Sequence, residues 1–190
     1  MTSLVQLQRP DDLSDDLLYP CSDGKPMADS TIQYRWIVTI KENVDLLLED
    51  DPLVFVAGDL FWYPFPAKDA VPDETTRQAP DVMVVFGAAK GERRSYRQFR
   101  ENNIPPQVVF EILSHSNKTK KGRGEMQKKF EFYQKHGVEE YYLYDPEDLV
   151  LQGWQRRGKK LKRILNMDQW VSPRLGIRFD WKPDQELALS

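Results

Sequence analysis

The sequence predicts an α/β domain, with a mixed central sheet flanked by helices and extra strands towards the C-terminus. Two segments repeat apolar residues at helical spacing. Four short runs between and after them are dense in β-formers: VFVAGDLFWY, DVMVVF, QVVFEIL and EYYLY. The resulting order is αβββαβ, which suits helices packed on the faces of one sheet.

The first helix opens at Ser30-Thr31-Ile32-Gln33, a capping box with Ser at the N-cap and Gln three residues on. Ile32, Trp36, Ile37, Ile40, Val44, Leu47 and Leu48 then share a face, and Asp50-Asp51-Pro52 closes the helix. Val54 to Tyr63 is predicted as one strand, and Trp62 and Tyr63 read as exposed aromatics suited to an interface. Pro64 to Pro80 is a loop rich in proline and charge. Asp81 to Phe86 is the second strand, Gly87 to Pro106 a polar loop or short helix, and Gln107 to Leu113 the third strand. After the loop from Ser114 to Gly124, a second helix runs to His136 and stops at Gly137, a natural C-terminal cap. Glu140 to Tyr144 is the fourth strand. Leu149 to Arg156 and Lys160 to Leu165 form a hairpin around Arg157-Gly158-Lys159, and Leu175 to Trp181 is the last strand.

The 190 residues suit one domain, with 40% hydrophobic and 12% aromatic residues, as a globular core requires. Residues 1–29, with Pro10, Pro20 and Pro26 among acids, read as an arm, and residues 30–190 as the domain. No apolar run approaches the ~20 residues that cross a bilayer. The acidic DDLSDD near the start lacks the pattern of a signal peptide, so the expected location is cytoplasmic. A single cysteine, Cys21, excludes an intrachain disulfide or a cysteine metal cluster. His115 and His136 lack zinc-ligand spacing, and neither a G-x-S-x-G elbow nor a phosphate-cradling glycine loop is present.

Net charge is -3, but it is unevenly spread. Residues 88–163 hold 18 Lys or Arg against 10 Asp or Glu, leaving 9 basic and 20 acidic residues elsewhere. This asymmetry suits a basic face apposed to a polyanion, and equally a set of solvated loops and hairpins.

The chemistry concentrates on two acids. Asp81 begins a strand directly after Pro80, and Glu111 interrupts the apolar run Val108-Val109-Phe110-Glu111-Ile112-Leu113. A carboxylate in such a strand is costly to desolvate unless a cation compensates it. Each acid alone is explained by an arginine partner or a loop cap; both together, near a lysine-bearing helix, favour a shared hard divalent cation. On the second helix, Met126, Phe130 and Tyr133 follow i, i+4, i+7 and define the face towards the sheet. Lys129 lies within about 60° of Met126 on that face, whereas Lys128 points nearly opposite. Lys129 can therefore snorkel towards an acidic site, and Lys128 faces solvent or phosphate.

Pro80-Asp81, with Glu111 thirty residues on in the third strand of an αβββαβ core, resembles the PD-(D/E)XK phosphodiesterase superfamily. More narrowly, RQAPDVMVVFG, PPQVVFEILSHSN, KKFEFYQKHGVEEYYLYDPE and VSPRLGIRF resemble the Uma-two family of restriction-type endonucleases, over nearly all of the chain after Tyr19. The superfamily pattern wants lysine two residues after the glutamate, where this chain has Leu113. The resemblance moves that role to Lys129, in the K-[LF]-x-x-Y match, the residue that helical phase also nominates. It adds Asp59 on the first strand, for which a strand-end role beside Gly58 is the alternative.

The resemblance implies a restriction-endonuclease-like domain that hydrolyses DNA phosphodiesters with Mg2+ or Mn2+. Asp81, Glu111 and the carbonyl of Ile112 would hold the metal, and Lys129 would orient water or neutralise the scissile phosphate. Lys118, Lys120, Lys121 and Arg123 would grip flanking phosphates, and Gln33 would support the site. A homodimer would let two sites cut two strands. The competing expectation is a catalytically silent nuclease fold kept as a nucleic-acid or protein interaction module.

Overall fold

The architecture follows from which runs of the chain can bury one face and which can bury two. The computed structural model describes residues 18–22, 24, 26–67 and 76–190. Most of the arm expected at residues 1–29, and the centre of the loop from Pro64 to Pro80, lie outside the described residues.

Helix α1 (Thr31–Leu47) starts as expected: Ser30 accepts from the Gln33 backbone N–H. Its buried face, Gln33, Trp36, Ile37, Ile40 and Val44, keeps the predicted period. Strands β1 (Val54–Gly58), β3 (Val82–Phe86), β5 (Val108–Ile112), β6 (Glu140–Asp145), β7 (Val150–Arg157) and β8 (Lys160–Arg163) form one sheet in the order β1-β3-β5-β6-β7-β8. Within this sheet only β5 and β6 pair in parallel; the other neighbours are antiparallel. A parallel pair needs a crossover, and helix α2 (Lys120–Lys135) supplies it.

The sheet divides two cores. On one face, α1 packs with Val54, Val56, Val84, Phe110 and Ile112, and with Leu175, Ile177, Phe179 and Leu187 from the C-terminal segment. That segment carries β9 (Trp170–Val171), β10 (Arg178–Asp180) and β11 (Ala188–Leu189) as a small antiparallel sheet. It is stapled by buried Glu140, which accepts from Ser172, from Tyr142 and from the Arg174 N–H. On the other face, α2 packs Phe132 and Tyr133 against Val109, Met83 and Tyr141. At about 1.5–3 kcal/mol for each large apolar side chain removed from water, these two layers supply most of the driving force.

Four expectations change. The predicted strand from Val54 to Tyr63 breaks after Gly58, because Asp59 takes a left-handed φ of 45° and turns the chain out of the ladder. Its second half becomes β2 (Trp62–Tyr63), paired in parallel with β4 (Tyr96–Arg97), within the segment read as a polar loop. Trp62 and Tyr63 are fully buried rather than exposed, so neither forms a surface for a partner. Tyr63 packs edge-on to Tyr19 and donates to the Pro20 carbonyl, which ties the chain before α1 to the domain. The last strand is also shorter than its apolar pattern suggests: Gly176, at φ 71°, turns the chain before β10.

Helix α2 begins where only glycine fits. A Cβ on Gly122 would lie 2.2 Å from the Ser116 carbonyl oxygen, so the loop after β5 packs directly on the first turn. Thr119 caps that turn by accepting from Gly122. At the other end Gly137 adopts φ 96°, and the Val138 N–H returns to the Tyr133 carbonyl, as expected for a glycine-capped helix.

Candidate active site

Strand register brings the acids together. Gly58 pairs with Val82 and Val82 with Phe110. The next row beyond these pairs holds Asp59 just after β1, Asp81 just before β3 and Glu111 on β5, and the Asp59 N–H donates to the Asp81 carbonyl at 3.2 Å. Asp81 and Glu111 are buried, at 7% and 2% exposure. Asp59 is partly exposed and keeps interactions of its own.

Because β3 begins only at Val82, the Ile112 N–H and carbonyl emerge beyond the end of the ladder. Two side chains take them over. Asp81 Oδ2 accepts from the Ile112 N–H at 2.6 Å, and Gln33 Nε2 donates to the Ile112 carbonyl at 2.8 Å. The Gln33 amide oxygen accepts from the Asp29 N–H rather than from the N-cap residue. The capping box therefore reaches across to the site. Asp29 also accepts from Ser114 and Ser116, which fixes the loop leaving β5 to the start of α1.

Glu111 is held from α2. Lys129 Nζ donates to Glu111 Oε2 at 2.7 Å and to the Ala79 carbonyl at 3.1 Å. Tyr133, one turn later and fully buried, donates to Glu111 Oε1. Tyr133 is the site residue that sequence reasoning missed, because its spacing identified it as core. The signal available was the K-x-x-x-Y spacing, which puts both polar ends on one helical face. The buried face also includes Phe132, while Met126 is only partly buried.

The electrostatics record an excess of negative charge. Burial and the neighbouring Glu111 push the Asp81 carboxyl up to about 8, against the pull of Lys129 and the Ile112 N–H. Burial alone would lower the Lys129 ammonium, but Glu111 and Asp81 outweigh it and hold it above the ordinary value. One ammonium thus faces two carboxylates, with Asp59 adding to the field.

Among the described residues, no three Asp, Glu, His or Cys side chains form a ready-made metal-ligand group. The donor chemistry nevertheless fits a hard divalent cation. Two buried carboxylates and a carbonyl supply oxygen only, and their surplus charge is the kind that Mg2+ or Mn2+ neutralises.

The expected phosphate contacts separate. Lys118 is clasped by Asp145, Glu147 and Asp148 at 3.0, 3.1 and 3.0 Å, so it braces the loop after β6 rather than offering a free charge. Arg123 donates to the Lys118 carbonyl, and Lys121 lies 3.7 Å from Glu125. Lys120, Lys121 and Arg123 are exposed on the first turn of α2, which starts at Lys120 inside the segment read as a loop to Gly124, and Lys128 is exposed further along the helix.

Comparison with known proteins agrees with this architecture. A crystal structure described as "a putative nuclease belonging to DUF820 from Anabaena variabilis ATCC 29413" superposes with a TM-score of 0.54 and 15% identity, covering 80% of this chain and 77% of that one. At that identity the likeness is one of fold. None of the curated proteins compared with it is similar enough to count as a relative. No described helix is long and apolar enough to cross a membrane. The model of the Uma2 family, described as "Putative restriction endonuclease", matches residues 25–190, and the chain belongs to that family.

Proposed function

We propose that the protein is a divalent-metal-dependent endonuclease that hydrolyses DNA phosphodiesters at the end of β3 and β5. The observation that carries the reading is the pair of buried, adjacent carboxylates Asp81 and Glu111 with the Lys129 ammonium 2.7 Å from one of them.

Asp81 and Glu111, with the Ile112 carbonyl, are the residues that would hold Mg2+ or Mn2+. The ion when bound supplies Lewis acidity to the phosphate and acidifies a water. The chain's own residues do the rest. Lys129 stays charged beside the carboxylates and offers a proton donor to a scissile phosphate or its attacking water. Tyr133 fixes the rotamer of Glu111, and Gln33 fixes the Ile112 carbonyl from α1. Lys120, Lys121, Arg123 and Lys128 attract flanking phosphates without reading bases. A dimer would present two such sites to two strands.

A second reading, a silent nuclease fold kept for binding, draws on a specific observation: both oxygens of Glu111 already accept hydrogen bonds. One experiment separates the two. Purified protein is incubated with plasmid DNA and Mg2+ or Mn2+, beside Asp81→Ala and Glu111→Ala. Cleavage by the wild type and its loss in both variants is the expected result. Cleavage that survives both substitutions refutes the site, and no cleavage together with no metal binding by calorimetry favours the silent fold.

A further inference from the structure

The Ile112 carbonyl is the one backbone group among the proposed metal ligands, and its direction depends on a residue outside both the helix and the sheet. Pairing of β3 with β5 stops at Val82 and Phe110, so the ladder does not set that carbonyl. The Gln33 amide does, with Nε2 donating at 2.8 Å. An amide has a donor end and an acceptor end. Reversed, Gln33 would press its oxygen against the Ile112 oxygen with no proton between them. The Asp29 N–H selects the correct end, because it donates to Gln33 Oε1 at 2.8 Å. In an ordinary capping box the side chain at this position returns to the N–H of the N-cap residue, here Ser30. Gln33 passes over Ser30 to Asp29 while its other end is committed to Ile112.

Asp29 meets the same stretch of backbone a second time. Two residues beyond Ile112, Ser114 is buried, and its hydroxyl lies 2.8 Å from Asp29 Oδ2 and 3.0 Å from Asn117 Oδ1. A single hydroxyl proton cannot serve both, and a carboxylate is the stronger acceptor. The Ser116 hydroxyl donates to the same Oδ2 at 2.5 Å, and the two serines hold the Asp29 carboxyl below its ordinary range. Asp29 therefore brackets the Ile112 carbonyl. It acts on the carbonyl through Gln33, and on the turn that follows it directly.

Fastening α1 to the sheet does not call for this arrangement. Trp36, Ile37, Ile40 and Val44 already bury that helix against the strands. Asp29 is itself exposed and adds little buried surface. Its hydrogen bonds converge instead on one carbonyl and the turn beside it.

We infer that Asp29 is a positioning residue for the metal site, whose N–H and carboxylate together aim the Ile112 carbonyl. This rests on the reading of Asp81, Glu111 and Ile112 as metal ligands. Asp29 has no part in the chemistry.

The test reads Mn2+ affinity by calorimetry without DNA, beside urea midpoints in EDTA for the same proteins. Asp29→Ala removes the carboxylate and releases the chain that carries the N–H. Asp29→Asn keeps an oxygen for a serine hydroxyl. The position is exposed, so the core is not at stake. Tyr63→Phe is the structural comparison. It removes the hydroxyl that donates to the Pro20 carbonyl, and so loosens the chain before α1 without touching Gln33 or Ser114. Partners of metal ligands are worth about 10–100-fold in metal affinity, so Asp29→Ala should weaken Mn2+ binding about tenfold. Asp29→Asn should weaken it less, and Tyr63→Phe should bind as the wild type does although its urea midpoint falls. Ser114→Ala/Ser116→Ala should also weaken binding, and adding Asp29→Ala should cost less than it does alone, because these residues act as one unit.

Wild-type affinity in Asp29→Ala, or an equal loss in Tyr63→Phe, overturns the positioning role. A wild type that binds no Mn2+ overturns it together with the metal site. The endonuclease reading fails alone if Asp29→Ala weakens Mn2+ binding but the wild type never cuts plasmid DNA. The positioning role fails alone if the wild type binds and cuts while Asp29→Ala binds Mn2+ as tightly.

Discussion

Lys129 reaches Glu111 from a helix, with Nζ 2.7 Å from Oε2, although the superfamily pattern would put the lysine on the glutamate's own strand at the position of Leu113. The two routes deliver an ammonium to the same carboxylate. Removing it should therefore cost stability as well as activity. Lys129→Met leaves Glu111 buried without its counter-charge, a loss of about 3–5 kcal/mol for a buried pair, tempered here because the lysine side chain is 24% exposed. Cleavage should fall at least about a hundredfold, as for loss of one charge-stabilising donor. Adding Leu113→Lys to Lys129→Met should recover part of both, read by urea denaturation and plasmid nicking. A double variant no better than Lys129→Met would show that the helix position cannot be replaced.

Asp81 and Glu111 should respond in opposite senses to neutralisation. Asp81→Asn keeps an oxygen for the Ile112 N–H and removes the cost of holding this carboxyl protonated, or charged beside Glu111, in the folded chain, so metal-free stability should be maintained or rise by about 1 kcal/mol. Glu111→Gln removes the acceptor charge of Lys129 and should destabilise by about 2 kcal/mol or more. Both should abolish cleavage. Urea melts of the two variants in EDTA decide it, and equal destabilisation would mean that the charges are not in conflict. A stabilising change that destroys activity is the pattern expected where function maintains strain.

Tyr133 should prove to be a positioning residue. Its hydroxyl is fully buried against Glu111 Oε1, and Tyr133→Phe leaves that oxygen without its donor at almost unchanged volume. The expected cost is about 1–3 kcal/mol. A purely structural role would lower stability alone. A positioning role would also shift the Mg2+ concentration at half-maximal cleavage, by about tenfold, as for partners of metal ligands. Titrating Mg2+ in cleavage assays separates the two.

The carboxylate pair was legible because a charge inside VVFEIL violates the apolar pattern of a buried strand, and Lys129 because helical phase is a local property. The order of elements was legible for the same reason. Register was not: nothing within 54–63 fixes where β1 stops, and Asp59's left-handed turn depends on pairing with the Asp81 carbonyl. Gln33 shows the limit most clearly. A capping box accounts for its presence, yet its side chain spends its donor on Ile112, 79 positions away. Lys118 fails in the converse way, since a lysine in a basic loop looks free until Asp145, Glu147 and Asp148 fold around it.

His136 gives the protein an acid-sensitive seam away from the carboxylates. Its ring lies 4.3 Å from Phe132, 5.4 Å from Phe65 and 6.1 Å from Trp62, and burial, with Lys135 beside it, pushes its pKa down to about 4. Between the ordinary value of about 6.5 and about 4, the unfolded chain binds a proton that the folded chain refuses. Stability from this group is therefore complete above pH 6.5 and is lost as pH falls towards 4. The loss by pH 5 should be on the order of 1 kcal/mol, discounted for the ring's partial exposure. His136→Phe keeps an aromatic ring among Phe132, Phe65 and Trp62 and removes the titration. Urea midpoints at pH 7.5 and pH 5 should then differ less for the variant than for the wild type. Parallel shifts in both proteins would mean that His136 is not the group responsible.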